Sequence, residues 1–168
     1  MHYSRQDWGG RPAEARYRLV KPLVKGIALH WPAMSRPLGT VRQVMAALRG
    51  WQDYHMDTRG WSDIAYQVAI DQQGNTYGLR GIRYRSAANG NAWVNQRYGA
   101  LLLVVAPGEQ PTELMIAAVR NQVRIHREVF PSSRAVVGHK DIRPEPTACP
   151  GPLVSRLLQL GEFTPPRK

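Results

Sequence analysis

The chain has 168 residues, 43% of them apolar, and a formal charge of +11 at neutral pH. That length bounds it to one ordinary domain whose core needs no disulfides, and its single cysteine, Cys149, excludes an intramolecular bridge. No stretch approaches the roughly 20 apolar residues of a membrane-spanning helix, so no membrane insertion is expected and the charge points to a polyanionic partner.

Residues 1–26 read as an irregular N-terminal segment, because Pro12 and Pro22 argue against a long helix. Met1 to Asp7 lacks the apolar stretch of a secretory signal. The expectation is a mature domain excised from a longer secreted chain, or a protein made in the cytoplasm that leaves by another route. Gly26 to His30 is short and apolar, as a buried strand would be. After a loop marked by Pro32, Pro37 and Gly39, the positions Val41, Val44, Met45, Leu48 and Trp51 fall at helical spacing and predict a helix that ends before Gly60.

Ile64 to Ile70 reads as a strand, Asp71 to Asn75 as a turn and Thr76 to Leu79 as the returning strand. Arg83 to Gln96 is a polar loop rich in Asn, Gly and Ala. The continuous apolar run Ala100 to Val105 predicts a central strand buried on both faces. Pro111-Thr112-Glu113 opens a second helix with Ile116, Val119, Val123, His126 and Phe130 on its core face. Ala135 to Val137 is a last short strand, Leu153 to Leu160 a closing helix, and 164–168 a frayed tail. With no repeat and no internal boundary, strands alternating with helices predict a single domain over 1–168. Its fold class is α/β, a sandwich with a central mixed sheet flanked by helices.

The chemistry concentrates in Val137-Gly138-His139-Lys140-Asp141 and Thr147-Ala148-Cys149-Pro150-Gly151. Taken alone, Cys149 reads as a small buried hydrophobe. In a loop bounded by Pro and Gly, with His139 upstream, thiolate and imidazole together would make most of a zinc site. His30, ending its apolar run where a strand would open onto a cleft, is the best candidate for the third ligand. Its ordinary reading is a satisfied core histidine. The basic side chains Arg83, Arg85, Arg97, Arg120, Arg124 and Arg127 are scattered and carry no nucleic-acid motif, so nucleic acid is not expected as the partner.

Gly138-His139-Lys140-Asp141 followed by Thr147 to Gly151 resembles the zinc-binding end of the peptidoglycan recognition protein and type 2 N-acetylmuramoyl-L-alanine amidase family. Ser4 to Arg11, Leu29-His30-Trp31, Gly60 to Val68 and Asp71 to Gly81 resemble further motifs of that family in the right order, so the likeness spans nearly the whole chain. The resemblance implies a peptidoglycan recognition protein-like fold, one Zn2+ on His30, His139 and Cys149, and bacterial peptidoglycan or its muropeptides as partner. It implies Tyr66 as the tyrosine that approaches the attacking water, with Thr147 as a second polar helper. Some phage amidases carry Lys at that place, and this chain has Thr as the animal-type amidases do. His55 corresponds to a groove-lining histidine. The family's further histidine is missing between Arg83 and Gln96, where Asn89 or Asn95 would replace its binding role. Arg80 would contact peptide carboxylates or form a structural ion pair. His126 is expected in the core and His2 at a mobile terminus.

The implied activity is hydrolysis of the amide between the lactyl group of muramic acid and L-alanine, by a monomer acting at the bacterial wall. Wall polymers are anionic, which suits the basic charge. A phage or prophage endolysin and a secreted bacterial amidase both fit. The alternative is a module that holds peptidoglycan without cutting it; such members of the family commonly lose the cysteine that this chain keeps. A structural zinc or nucleic-acid module is disfavoured by the single cysteine.

Overall fold

The computed structural model describes residues 1–32 and 34–165. Among them, six strands form one sheet: β1 (His2–Tyr3), β2 (Gly26–His30), β3 (Val68–Ile70), β4 (Thr76–Gly78), β5 (Tyr98–Leu103) and β6 (Ala135–Gly138). Their order is β1-β4-β3-β5-β2-β6. The β3–β4 hairpin is antiparallel and the other pairings are parallel, so the sheet is mixed as the sequence predicts.

Helices α1 (Val41–Asp53) and α3 (Glu113–Val129) cover the sheet, with shorter helices α2 (Ala92–Arg97) and α4 (Pro152–Gln159) beside them. Thr40 starts α1 with a capping box: its Oγ1 accepts from Gln43 N at 3.2 Å, and Gln43 Oε1 accepts from Thr40 N at 3.1 Å. The helix then widens into a π turn over Tyr54–Thr58, which carries His55.

The apolar run of β5 is buried on both faces. Leu101 and Leu103 join Ile27, Leu29, Met115, Ile116 and Val119 on the α3 side, while Leu102 and Val104 join Val44, Leu48 and Trp8 on the α1 side. This period-two alternation explains why neither face of the run can be polar. The same alternation along β2 sends Ile27 and Leu29 toward α3 and therefore His30 toward α1.

Several expected boundaries shift. The irregular N-terminal segment contributes β1, because Met1 O accepts from Thr76 N at 2.9 Å and His2 pairs with Thr76 at the sheet edge. The strand expected from Ile64 begins only at Val68. Before it, the Gln67 side chain intrudes: Oε1 takes the Ala100 N–H at 3.0 Å in place of a main-chain carbonyl, and Nε2 donates to Tyr84 O at 2.6 Å. Tyr66 is therefore not a strand residue. The polar loop 83–96 ends in α2, capped by Asn91, whose Oδ1 accepts from Val94 N at 2.9 Å. Of the expected frayed tail, Phe163 just before it is fully buried and Thr164 N bonds Gly161 O at 3.0 Å. Residues 166–168 lie outside the described residues.

Candidate metal centre

Parallel register builds the site. Leu29 on β2 pairs with Gly138 on β6, so the residues that follow, His30 and His139, emerge side by side where both strands end. Their ring centroids are 4.4 Å apart. The Cys149 loop folds back onto this end: Lys140 N donates to Cys149 O at 2.9 Å, and Trp31 N donates to Cys149 Sγ at 3.4 Å. Gly151 must be glycine, with φ of +89° and a Trp31 ring atom 2.6 Å from where its Cβ would stand.

The ligand-capable atoms of His30, His139 and Cys149 all lie within 4.8 Å of one another. His30 Nδ1 faces Cys149 Sγ at 3.7 Å, while its Nε2 meets Asn89 Oδ1 at 2.9 Å. His139 Nε2 is buried without a hydrogen-bond partner among the described residues. An orphaned buried nitrogen beside a thiol and a second imidazole is the donor set a zinc ion takes, so these residues fit such a metal.

Burial sets the charge state. It pushes His30 down to about 3, with His139 as a second cause, and His139 down to about 4, with Arg143 adding to the effect. The Cys149 thiol is pushed up to about 11, again by burial. Two neutral imidazoles and a neutral thiol result at neutral pH. A cation would then have to displace the thiol proton on binding.

Tyr66 stands edge-on to His30, with centroids 5.4 Å apart. Burial, and secondarily Cys149, raise its pKa, so it keeps its proton. Thr147 Oγ1 accepts from Cys149 N at 3.2 Å, which leaves its own proton free to donate. His55 stacks on Trp61 at 5.0 Å and faces Tyr66 at 6.0 Å. A cleft of about 380 Å³ is lined by Pro32, Trp51, Tyr54, His55 and Tyr66. Trp61 also walls a second hollow of about 430 Å³, with Tyr17, Arg80, Arg85 and Asn95. A wider hollow, about 700 Å³, opens between β4 and α3 and contains none of these residues.

Other expected contacts are placed differently. Asn89 is fully buried and spends its amide inside the protein rather than offering it to a ligand. Asn95 is 7% exposed, and its Oδ1 accepts from Asn89 N at 2.9 Å and Ser86 Oγ at 3.0 Å. Arg80 donates to three main-chain carbonyls, those of Ile64, Asp63 and Arg85, in place of the ion pair that was the alternative to a substrate contact, and it still lines the second hollow. Trp51 and Tyr54 join the cleft without a sequence motif to mark them, although their i, i+3 spacing with His55 at i+4 puts all three on one helical face.

No protein-family profile matches the chain. It is 31% identical over 150 residues to peptidoglycan-recognition protein SC1a of Drosophila melanogaster, covering 88% of this chain and 78% of that protein. It is 27% identical over 162 residues to an N-acetylmuramoyl-L-alanine amidase of Sus scrofa, covering 94% of this chain but only 26% of that protein's length. Among solved structures, a variant of Drosophila PGRP-LB in complex with tracheal cytotoxin superposes with a TM-score of 0.81 at 25% identity, over 97% of this chain and 96% of that one.

Proposed function

The chain belongs to the peptidoglycan-recognition protein family, and on that premise we propose that it is a zinc-dependent N-acetylmuramoyl-L-alanine amidase. Its substrate would be bacterial peptidoglycan, cut between the muramic acid lactyl group and L-alanine. The observation that carries this reading is the convergence of His30, His139 and Cys149 within 4.8 Å. Holding a polymer requires no such donor set, which favours cutting over the alternative of a recognition module that only binds.

Nδ1 of His30, a ring nitrogen of His139 and Sγ of Cys149 would hold the metal. Zinc in such a site supplies Lewis acidity, which polarises a carbonyl and lowers the pKa of water. The chain's own residues do the rest. His55, Trp51 and Tyr54 wall the cleft and orient the scissile amide beside the centre. Tyr66, held as a phenol by burial, donates a hydrogen bond to the oxygen on which negative charge develops. Thr147, with its proton unspent, donates to the same oxygen from the other loop. The basic surface would gather the protein onto anionic walls, as an endolysin requires.

The test is incubation of the zinc-loaded protein with purified peptidoglycan, followed by analysis of new amino termini. Free L-alanine termini that a chelator abolishes are the expected result. Retention on the polymer with no new termini would establish the recognition module instead.

A further inference from the structure

The segment from Ser86 through the first turn of α2 to Asn95 is built around one side chain that reaches into the metal centre. Asn89 is fully buried, and its backbone N–H donates to Asn95 Oδ1 at 2.9 Å. Its side-chain Nδ2 lies 2.8 Å from Tyr98 O, at the start of β5, and 3.3 Å from Ser86 Oγ. Ser86 directs its own proton to Asn95 Oδ1 at 3.0 Å, so it faces Asn89 as an acceptor.

These contacts determine which way the Asn89 amide points. A main-chain carbonyl can only accept, so the amide atom facing Tyr98 must be the NH2 group. The amide oxygen is thereby aimed at His30, whose Nε2 lies 2.9 Å away. That oxygen can only accept as well, so Nε2 carries the imidazole proton. In a neutral ring the other nitrogen is then a bare lone pair. His30 Nδ1 is the nitrogen that faces Cys149 Sγ at 3.7 Å.

We propose that Asn89 is a positioning residue for the metal centre, fixing the tautomer and rotation of His30 so that Nδ1 is presented as a ligand. A carbonyl on β5 thus sets the proton position on a histidine of β2 through one buried amide. This inference rests on the reading of His30 as a metal ligand. It assigns to Asn89 a task that a substrate contact could not perform from a fully buried position. Partners of this kind fix ring orientation and raise ligand basicity, and their loss typically weakens metal binding about 10- to 100-fold.

The experiment compares zinc affinity, by chelator competition, in wild type, Asn89→Leu and Asn89→Asp. Leucine keeps the approximate size and removes every side-chain polar contact, while the backbone bond to Asn95 remains. Aspartate keeps the acceptor that faces His30 and loses both donor bonds. The expected result is a loss of about 10- to 100-fold for the leucine variant and near wild-type affinity for the aspartate variant. Unchanged affinity in the leucine variant, or an equal loss in both, would overturn the proposal, because a purely structural role in the loop predicts equal damage. Nitrogen–proton correlation spectra of the metal-free wild type read the tautomer without any substitution. A proton on His30 Nε2 supports the proposal, and a proton on Nδ1 overturns it. Failure of the wild type to take up zinc would instead overturn the metal centre itself, while the tautomer would still decide the role of Asn89.

Discussion

A Cβ on Gly138 would stand 2.8 Å from the Pro150 ring and 3.0 Å from Asp141 Oδ2. The residue before one histidine is thus pressed against the residue after the cysteine, so β6 and the Cys149 loop can close only over a glycine. Gly138→Ala should push Pro150 outward and carry Cys149 with it. The expected cost is about 1–3 kcal/mol of stability, as for other forced overpacking. Zinc affinity should fall as well. Denaturant unfolding and chelator competition on the same preparation measure both effects, and an alanine variant with unchanged metal affinity would separate the packing from the site.

Tyr66→Phe keeps the ring beside His30 and deletes the hydroxyl. Fold, zinc content and retention on peptidoglycan should survive. The rate of amide cleavage should drop about 10²- to 10³-fold, or roughly 3–4 kcal/mol, as when one transition-state donor is removed. The loss should appear in kcat with KM little changed, because the contact strengthens only as charge develops. Near wild-type turnover with zinc bound would reduce Tyr66 to a packing residue.

The charge of +11 has its own signature. If it concentrates the protein on anionic walls, lysis of whole cells should weaken as salt shortens the reach of the field. Cleavage of a small soluble muropeptide should change far less. Equal salt sensitivity on both substrates would remove the steering role.

His126 is buried in the core, its Nδ1 on Ser133 Oγ at 3.0 Å and its Nε2 without a hydrogen-bond partner among the described residues. Burial, with Arg127 as a lesser cause, lowers its pKa from 6.5 to about 4. Between those values the unfolded chain binds more protons than the folded one, so stability falls as pH falls. The contribution is complete above about 6.5 and lost progressively toward 4, by at most about 1.4 kcal/mol per pH unit. His30, His55 and His139 are displaced in the same direction. The difference in pH dependence between wild type and His126→Gln isolates this residue. Parallel curves for the two proteins would contradict the assignment.

How far the sequence reached follows from where each constraint resides. His139 and Cys149 were legible because Gly138, Pro150 and Gly151 punctuate the chain locally, and His30 because an apolar run ends on it. The continuous apolar run of β5 likewise announced a strand covered on both faces. β1 was not legible: two residues carry no period, and their pairing is supplied by β4 far along the chain. Tyr66 reads as a strand residue because its neighbours are apolar, whereas the Gln67 side chain takes the Ala100 N–H that a continued strand would need. Asn89 and Asn95 belong to a polar stretch of sequence and read as groups facing a ligand, although Asn95 lies in α2. Their burial depends on Ser86, Tyr98 and His30 closing around them, which no local pattern encodes.

The most direct test of the metal centre is zinc K-edge X-ray absorption on the loaded protein, compared with Cys149→Ser. The wild type should show one sulfur at about 2.3 Å and imidazole nitrogens at about 2.0–2.1 Å. The serine variant should lose the sulfur shell together with most of its bound zinc, because a neutral hydroxyl is a far poorer ligand than thiolate. A wild-type spectrum without sulfur, or full zinc occupancy in the serine variant, would contradict the site built from His30, His139 and Cys149.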